Sequence, residues 1–102
     1  MITAGCVLTT DIAIGRHAIT NLNVTVAHNC RFGDFVTIAP LAAISGNVHL
    51  DDLVEVGTGA AIRQGLTMAR GSVLGMGGVL TKSTEPNGVY VGNPAKLLKT
   101  LD

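Results

Sequence analysis

Residues 24–56 read VTVAHNCRFGDFVTIAPLAAISGNVHLDDLVEV. Val26, Phe32, Ile38, Ile44, Leu50 and Val56 recur every six residues, and a small or apolar residue stands four places after each: Cys30, Val36, Ala42, Val48, Val54 and Ala60. Working outward, the same two series run from Ile2 to Thr84, fourteen hexads without an insertion, with Thr20 the one polar member of the first series. No charge enters either series. A helical period of 3.6 and a strand alternation of two both fail to reproduce this spacing, so the chain is a repeat array. Two inward positions in six predict an all-β architecture, a parallel β-solenoid in which a short strand, a corner and the next strand follow one another. Three hexads close one triangular coil of eighteen residues, stacked at about 4.8 Å per coil, and the repeat fills between four and five coils. The period leaves handedness open, although parallel crossovers are normally right-handed.

Composition fits a narrow prism. The 102 residues make one small domain. Hydrophobic residues are 47% of it, but the aromatics are only Phe32, Phe35 and Tyr90 and Trp is absent, as expected where the interior admits Ile, Val, Leu and Ala better than large rings. Seven basic residues balance seven acidic ones, with no basic run, which argues against nucleic acid as a partner. No long apolar run or charged-then-apolar leader is present, so the expectation is a soluble, cytoplasmic protein without membrane contact. Cys6 and Cys30 both occupy the inward small position but are not a whole number of coils apart. They read as buried thiols, not as a disulfide.

The sequence divides into a repeat, residues 1–84, and a C-terminal segment, residues 85–102. Glu85-Pro86-Asn87-Gly88 breaks the period with turn residues, Val89-Tyr90-Val91 reads as a last short strand, and Gly92-Asn93-Pro94 is a second turn. Ala95–Leu101 has helical propensity with Leu97, Leu98 and Leu101 on one face, which predicts a short helix capping the last coil. Leu22, Phe35, Leu41 and Leu53 are outward apolar residues and candidates for facing a neighbouring copy.

Three histidines, His17, His28 and His49, fall at different hexad phases and at spacings that no ladder or helical ligand pair would use, so no metal site is expected. His28 stands out through its column. Counting by eighteen gives Thr10, His28, Gly46 and Gln64. An imidazole beside a residue without a Cβ places a base next to an approachable amide, the pair that acyl transfer from a thioester needs: one removes a proton, the other stabilises the oxyanion.

The hexads, together with VAHNC (26–30), RFGDFVTIAP (31–40), ISGN (44–47), GMGG (75–78) and VGNPAK (91–96), resemble the hexapeptide-repeat acyltransferases, closest to those that acetylate sialic acids or nucleotide-linked amino sugars. The resemblance covers nearly the whole chain. It implies a left-handed parallel β-helix, a homotrimer with sites between adjacent prisms, and direct transfer from acetyl-CoA to a sugar-like hydroxyl or amine. On this resemblance His28 matches the general base and Gly46 the oxyanion amide. The acetyl-CoA track passes Thr37 and follows the column Pro40, Thr58, Met76, with Gly46 at the acyl end and Lys96 near the nucleotide phosphates.

Three positions depart from the pattern. Relatives carry an acid immediately after the base histidine, and this chain has Asn29. Asp11, one coil below Asn29 by register, is the expected source of the missing charge. Thr37 replaces a histidine seen in some relatives, and the nucleotide-fold domain that binds the acceptor sugar in relatives is not recognisable in these residues. Asn29 and that missing domain leave an alternative open, a non-catalytic trimeric solenoid that binds CoA or a partner protein.

Overall fold

A computed structural model describes residues 1–101. Thirteen two-residue strands, one per hexad, form three parallel sheets that are the sides of a triangular prism. The first side stacks Val7–Leu8, Thr25–Val26, Ala43–Ile44, Ala61–Ile62 and Val79–Leu80. The second stacks Ala13–Ile14, Arg31–Phe32, His49–Leu50 and Thr67–Met68. The third carries Ile19–Thr20, Thr37–Ile38, Glu55–Val56 and Val73–Leu74, then two C-terminal strands, Gly88–Gly92 and Ala95–Thr100. Pairs such as Val7↔Thr25, Arg31↔His49 and Thr37↔Glu55 give the register of eighteen that the hexads predict.

The two inward series make the core. Ile38, Leu50, Ile62, Met68, Leu74 and Leu80 are fully buried with Val24, Val36, Val48 and Val54. Thr20, the polar exception, is buried on the third side, where the Cys6 thiol lies 3.8 Å from its hydroxyl. Both cysteines are free thiols. Ser72 and Thr84 are the other hydroxyls on inward positions, and they satisfy each other at 2.9 Å while the Thr84 hydroxyl accepts the Ala69 N–H at 2.9 Å.

Corners repeat as strictly as strands. Residues 5, 11, 17, 23, 29, 35, 41, 47, 53, 59, 65, 71 and 77 all have positive φ. Gly, Asn and Asp suit that conformation; Phe35, Leu41 and Leu53, at φ of 59, 66 and 63°, do not, because a Cβ crowds the following carbonyl there. Leu22, Phe35, Leu41 and Leu53 are exposed on the single chain.

The C-terminal segment departs from the expected capping helix. Ala95–Thr100 is a strand, antiparallel to Gly88–Gly92 with Gly92 opposite Ala95, so Asn93-Pro94 is the tip of a hairpin. Seven residues gain little as an isolated helix. The open edge of Gly88–Gly92 offers them backbone bonds instead, and Leu97, Leu98 and Leu101 stay about half exposed. The cap is the other strand of the hairpin: Tyr90 sits above Leu74, 8% exposed, and its hydroxyl accepts the Glu85 N–H at 2.8 Å. Val73 pairs with Val89, an offset of sixteen instead of eighteen, because Glu85-Pro86-Asn87 cuts the last coil short. The final residue of the 85–102 segment lies outside the described residues.

Candidate active site

Three corners run along the prism. The corner between the first and second sides carries Thr10, His28, Gly46 and Gln64, one above another. Next in sequence at that corner are Asp11, Asn29, Asn47 and Gly65, each at positive φ. Backbone bonds fix the stack: Asn29 N–H donates to the Thr10 carbonyl, Asn47 N–H to His28 and Gly65 N–H to Gly46, each at 3.0 Å.

His28 is exposed, and its ring leans toward the following coil and over Gly46, which it buries. A Cβ added to Gly46 would fall 2.9 Å from both Cε1 and Nε2 of the imidazole. Glycine is needed here for close approach and not for an unusual φ. Among the described residues, no acceptor takes up the Gly46 N–H. The structure therefore joins an accessible imidazole to a residue whose amide is uncapped, the juxtaposition expected from counting by eighteen.

Asp11 and Asn29 line one groove of about 560 Å³, with Ile12, Ala13, Arg31 and Asn47. Register places Asp11 beneath Asn29 as expected. No hydrogen bond links Asp11 to Asn29 or to His28 among the described residues, so the carboxylate is a neighbour and not a direct partner of the ring. Arg31 and Asn47 were not singled out from sequence. Adding eighteen to Asn29 finds Asn47, and adding eighteen to Ala13 finds Arg31.

Thr37, Thr58 and Met76 line a second, mainly apolar groove of about 370 Å³, together with Glu55, Gly57 and Gly75. It lies on the third side and the corner beyond it. Gly57 and Gly75 keep it open: a Cβ on Gly57 would meet the Met76 nitrogen at 2.5 Å, and one on Gly75 the Val91 side chain at 3.0 Å. Pro40 does not line the groove. Lys96 is exposed opposite Val91, so it stands at the hairpin end of the same side. Within one chain, His28 and Gly46 on their corner are thus separated from Thr37, Thr58, Met76 and Lys96, because the third side is the one opposite that corner. Among the described residues, no three His, Cys, Asp or Glu side chains cluster to hold a metal.

Arg16, Asp34, Asp52 and Arg70 stack on the corner between the second and third sides. The Asp34 carboxylate reaches back to accept the Arg16 N–H at 2.7 Å and its guanidinium at 3.0 Å, and Asp52 accepts the Asp34 N–H at 2.7 Å. The bond from the Arg16 amide, then that from its side chain, holds the Asp34 carboxyl below its usual 3.8.

No family model matches the chain. Individual proteins do. The GDP-perosamine N-acetyltransferase of Escherichia coli O157:H7 is 41% identical over 98 residues, covering 90% of this chain and 44% of that protein. The structure of WeeI from Acinetobacter baumannii AYE superposes with a TM-score of 0.81 at 33% identity, over 94% of this chain and 56% of that one. The acetyltransferase domain of PglB from Neisseria gonorrhoeae FA1090 gives 0.85 at 29% identity, over 96% and 57%, and that domain has also been solved in complex with acetyl coenzyme A. By repeat, register and likeness, the chain belongs to the hexapeptide-repeat acetyltransferase family, built on the left-handed β-helix. It spans about half the length of the curated relatives that it matches along most of its own length.

Proposed function

We propose that this chain is the catalytic β-helix of an acetyltransferase that moves an acetyl group from acetyl-CoA to a hydroxyl or amine of a sugar-like acceptor in the cytoplasm. The observation that carries the proposal is the His28 ring lying against Gly46, at a glycine whose amide is left uncapped. Acetyl-CoA supplies the thioester. His28 accepts a proton from the acceptor as its oxygen or nitrogen attacks the acyl carbon. The Gly46 N–H stabilises the charge that develops on the acyl oxygen. As the carbon–sulfur bond breaks, the imidazolium returns the proton to the departing thiolate. Asp11, one coil below Asn29, acts on the charged imidazolium through space and not through a bond.

The acyl donor's chain fits the third side, where Gly57 and Gly75 clear a cradle beside Thr37, Thr58 and Met76, and Lys96 stands at its end for phosphate. Because one prism holds this cradle opposite its own His28 corner, the reading requires a neighbour. A corner of one copy against a side of the next is a head-to-tail contact, and a triangular section closes it with three copies, a homotrimer.

Asn29 in place of an acid, with Asp11 out of hydrogen-bond contact, favours the second reading, a trimeric solenoid that binds CoA without turnover. Calorimetry with acetyl-CoA, followed by thioester hydrolysis by wild type and His28→Ala, separates the two. Turnover that depends on His28 supports the enzyme, whereas binding with the same background hydrolysis in both proteins supports the scaffold.

A further inference from the structure

The peptide that carries the Gly46 N–H has a second end, the carbonyl of Ser45, which points the opposite way across the same trans plane. No backbone N–H donates to that carbonyl among the described residues. Its donor is the thiol of Cys30, fully buried and 3.2 Å away. The same sulfur lies 3.8 Å from the His28 carbonyl, which already accepts the Asn47 N–H at 3.0 Å. One thiol therefore stands behind both the base residue and the peptide of the uncapped amide. The sheets fix what flanks that peptide: the Ser45 N–H donates to the Ile62 carbonyl at 3.1 Å, and the Gly46 carbonyl accepts the Gly65 N–H at 3.0 Å. They do not fix the plane between, and glycine tolerates the φ that a rotated plane demands. Rotation would turn a carbonyl, not an N–H, toward the side of His28.

From this arrangement we infer that Cys30 is a positioning residue for acetyl transfer, its S–H holding the Ser45–Gly46 peptide with the N–H outward. The inference rests on the reading of Gly46 as the oxyanion donor. A peptide whose carbonyl accepts a bond is also polarised, and its N–H donates more strongly. Burial pushes the Cys30 thiol above its usual 9.0, so the sulfur keeps the proton that it donates. Packing alone does not call for a thiol: Ile12, Val48 and Leu66 fill the same column with no donor. Cys6 supplies an internal comparison. Its sulfur lies 2.9 Å from the Asn21 carbonyl, fifteen residues on as Ser45 is from Cys30, at a corner where no histidine stands.

The test compares Cys30→Ser, which keeps a donor, with Cys30→Ala and Cys30→Val, which remove it, and with Cys6→Ala as the control; melting checks each fold, and Val is the residue that the next coil carries in this column. For acetyl-CoA hydrolysis, Cys30→Ala and Cys30→Val are expected to lower kcat about three- to ten-fold, as loss of one hydrogen bond does, with KM within about two-fold of wild type. Cys30→Ser should recover most of the loss, and Cys6→Ala should leave kcat unchanged. In spectra of protein labelled with 15N-glycine, the Gly46 amide signal should move in the Ala and Val variants and stay near its wild-type place in Cys30→Ser. An unchanged kcat in Cys30→Ala, a loss in Cys30→Ser as large as in Cys30→Ala, or a change confined to KM overturns the inference. Failure of the acetyltransferase reading appears separately, as hydrolysis that ignores His28; the Gly46 signal then still decides whether the thiol holds the peptide.

Discussion

Two corners of the same prism treat the same backbone atom in opposite ways. At the Arg16–Asp34–Asp52 corner, each carboxylate leans back over a glycine of the preceding coil, Gly15 or Gly33, and caps the amide that the sheets leave without a partner. At the Thr10–His28–Gly46 corner, the side chain leans forward instead, and the amide above it has no hydrogen-bond acceptor among the described residues. A solenoid offers one such amide per hexad. Filling it with a carboxylate binds coil to coil, and leaving it unbonded beside an imidazole gives the proposed mechanism its place for charge to develop. The difference between the capped corner and the proposed site is the direction in which one side chain points.

The largest expected effect comes from emptying the open corner. His28→Ala should lower acetyl transfer by about 10²–10⁴-fold, the range for removing a general base, while calorimetry finds acetyl-CoA binding within a factor of two or three of wild type. Gly46→Ala should follow at about 10²-fold, because its Cβ must displace the imidazole from 2.9 Å; the melting temperature should change little, and a spectrum showing the His28 ring unmoved would sink the steric account.

At the capped corner the effect should be on stability and should depend on pH. The folded pKa of Asp34 is depressed, so as pH falls the unfolded chain takes up the proton first. Its stabilisation is present above the ordinary carboxylate value and is lost as pH falls through the lower folded one. Asp34→Asn should therefore melt below wild type at pH 6, and the gap should shrink toward pH 2. A gap that does not vary with pH would mean that charge plays no part. The smallest effect is expected at the strained corners, where Leu53→Gly should stabilise the isolated chain by up to about 1 kcal/mol in urea unfolding by relieving a positive φ.

Counting by eighteen made most of this legible, because register in a solenoid is arithmetic: His28 over Thr10, Gly46 over His28 and Asn29 over Asp11 need no knowledge of side chains. What the count lacks is direction. It put Asp11 beneath Asn29 but had no means of telling that the carboxylate opens into a groove instead of bonding upward. It likewise did not reveal that Asp34 reaches back and His28 forward. The separation of His28 from Thr37 was present in the numbers, since nine residues are half a coil and lie across the prism. The C-terminal helix failed for another reason: the apolar spacing of Leu97, Leu98 and Leu101 is a local signal, and the free edge left by Gly88–Gly92 is a long-range one that outweighs it.

The hairpin that replaced that helix bears on how chains meet end to end. A parallel stack can grow without limit wherever its last coil presents three rungs in the direction of the next. Here the shortened final turn and the reversed run of Ala95–Thr100 leave the last rung of the third side pointing the wrong way, so that side offers no parallel edge to continue. On the third side, the hairpin closes the edge that a further parallel rung would need.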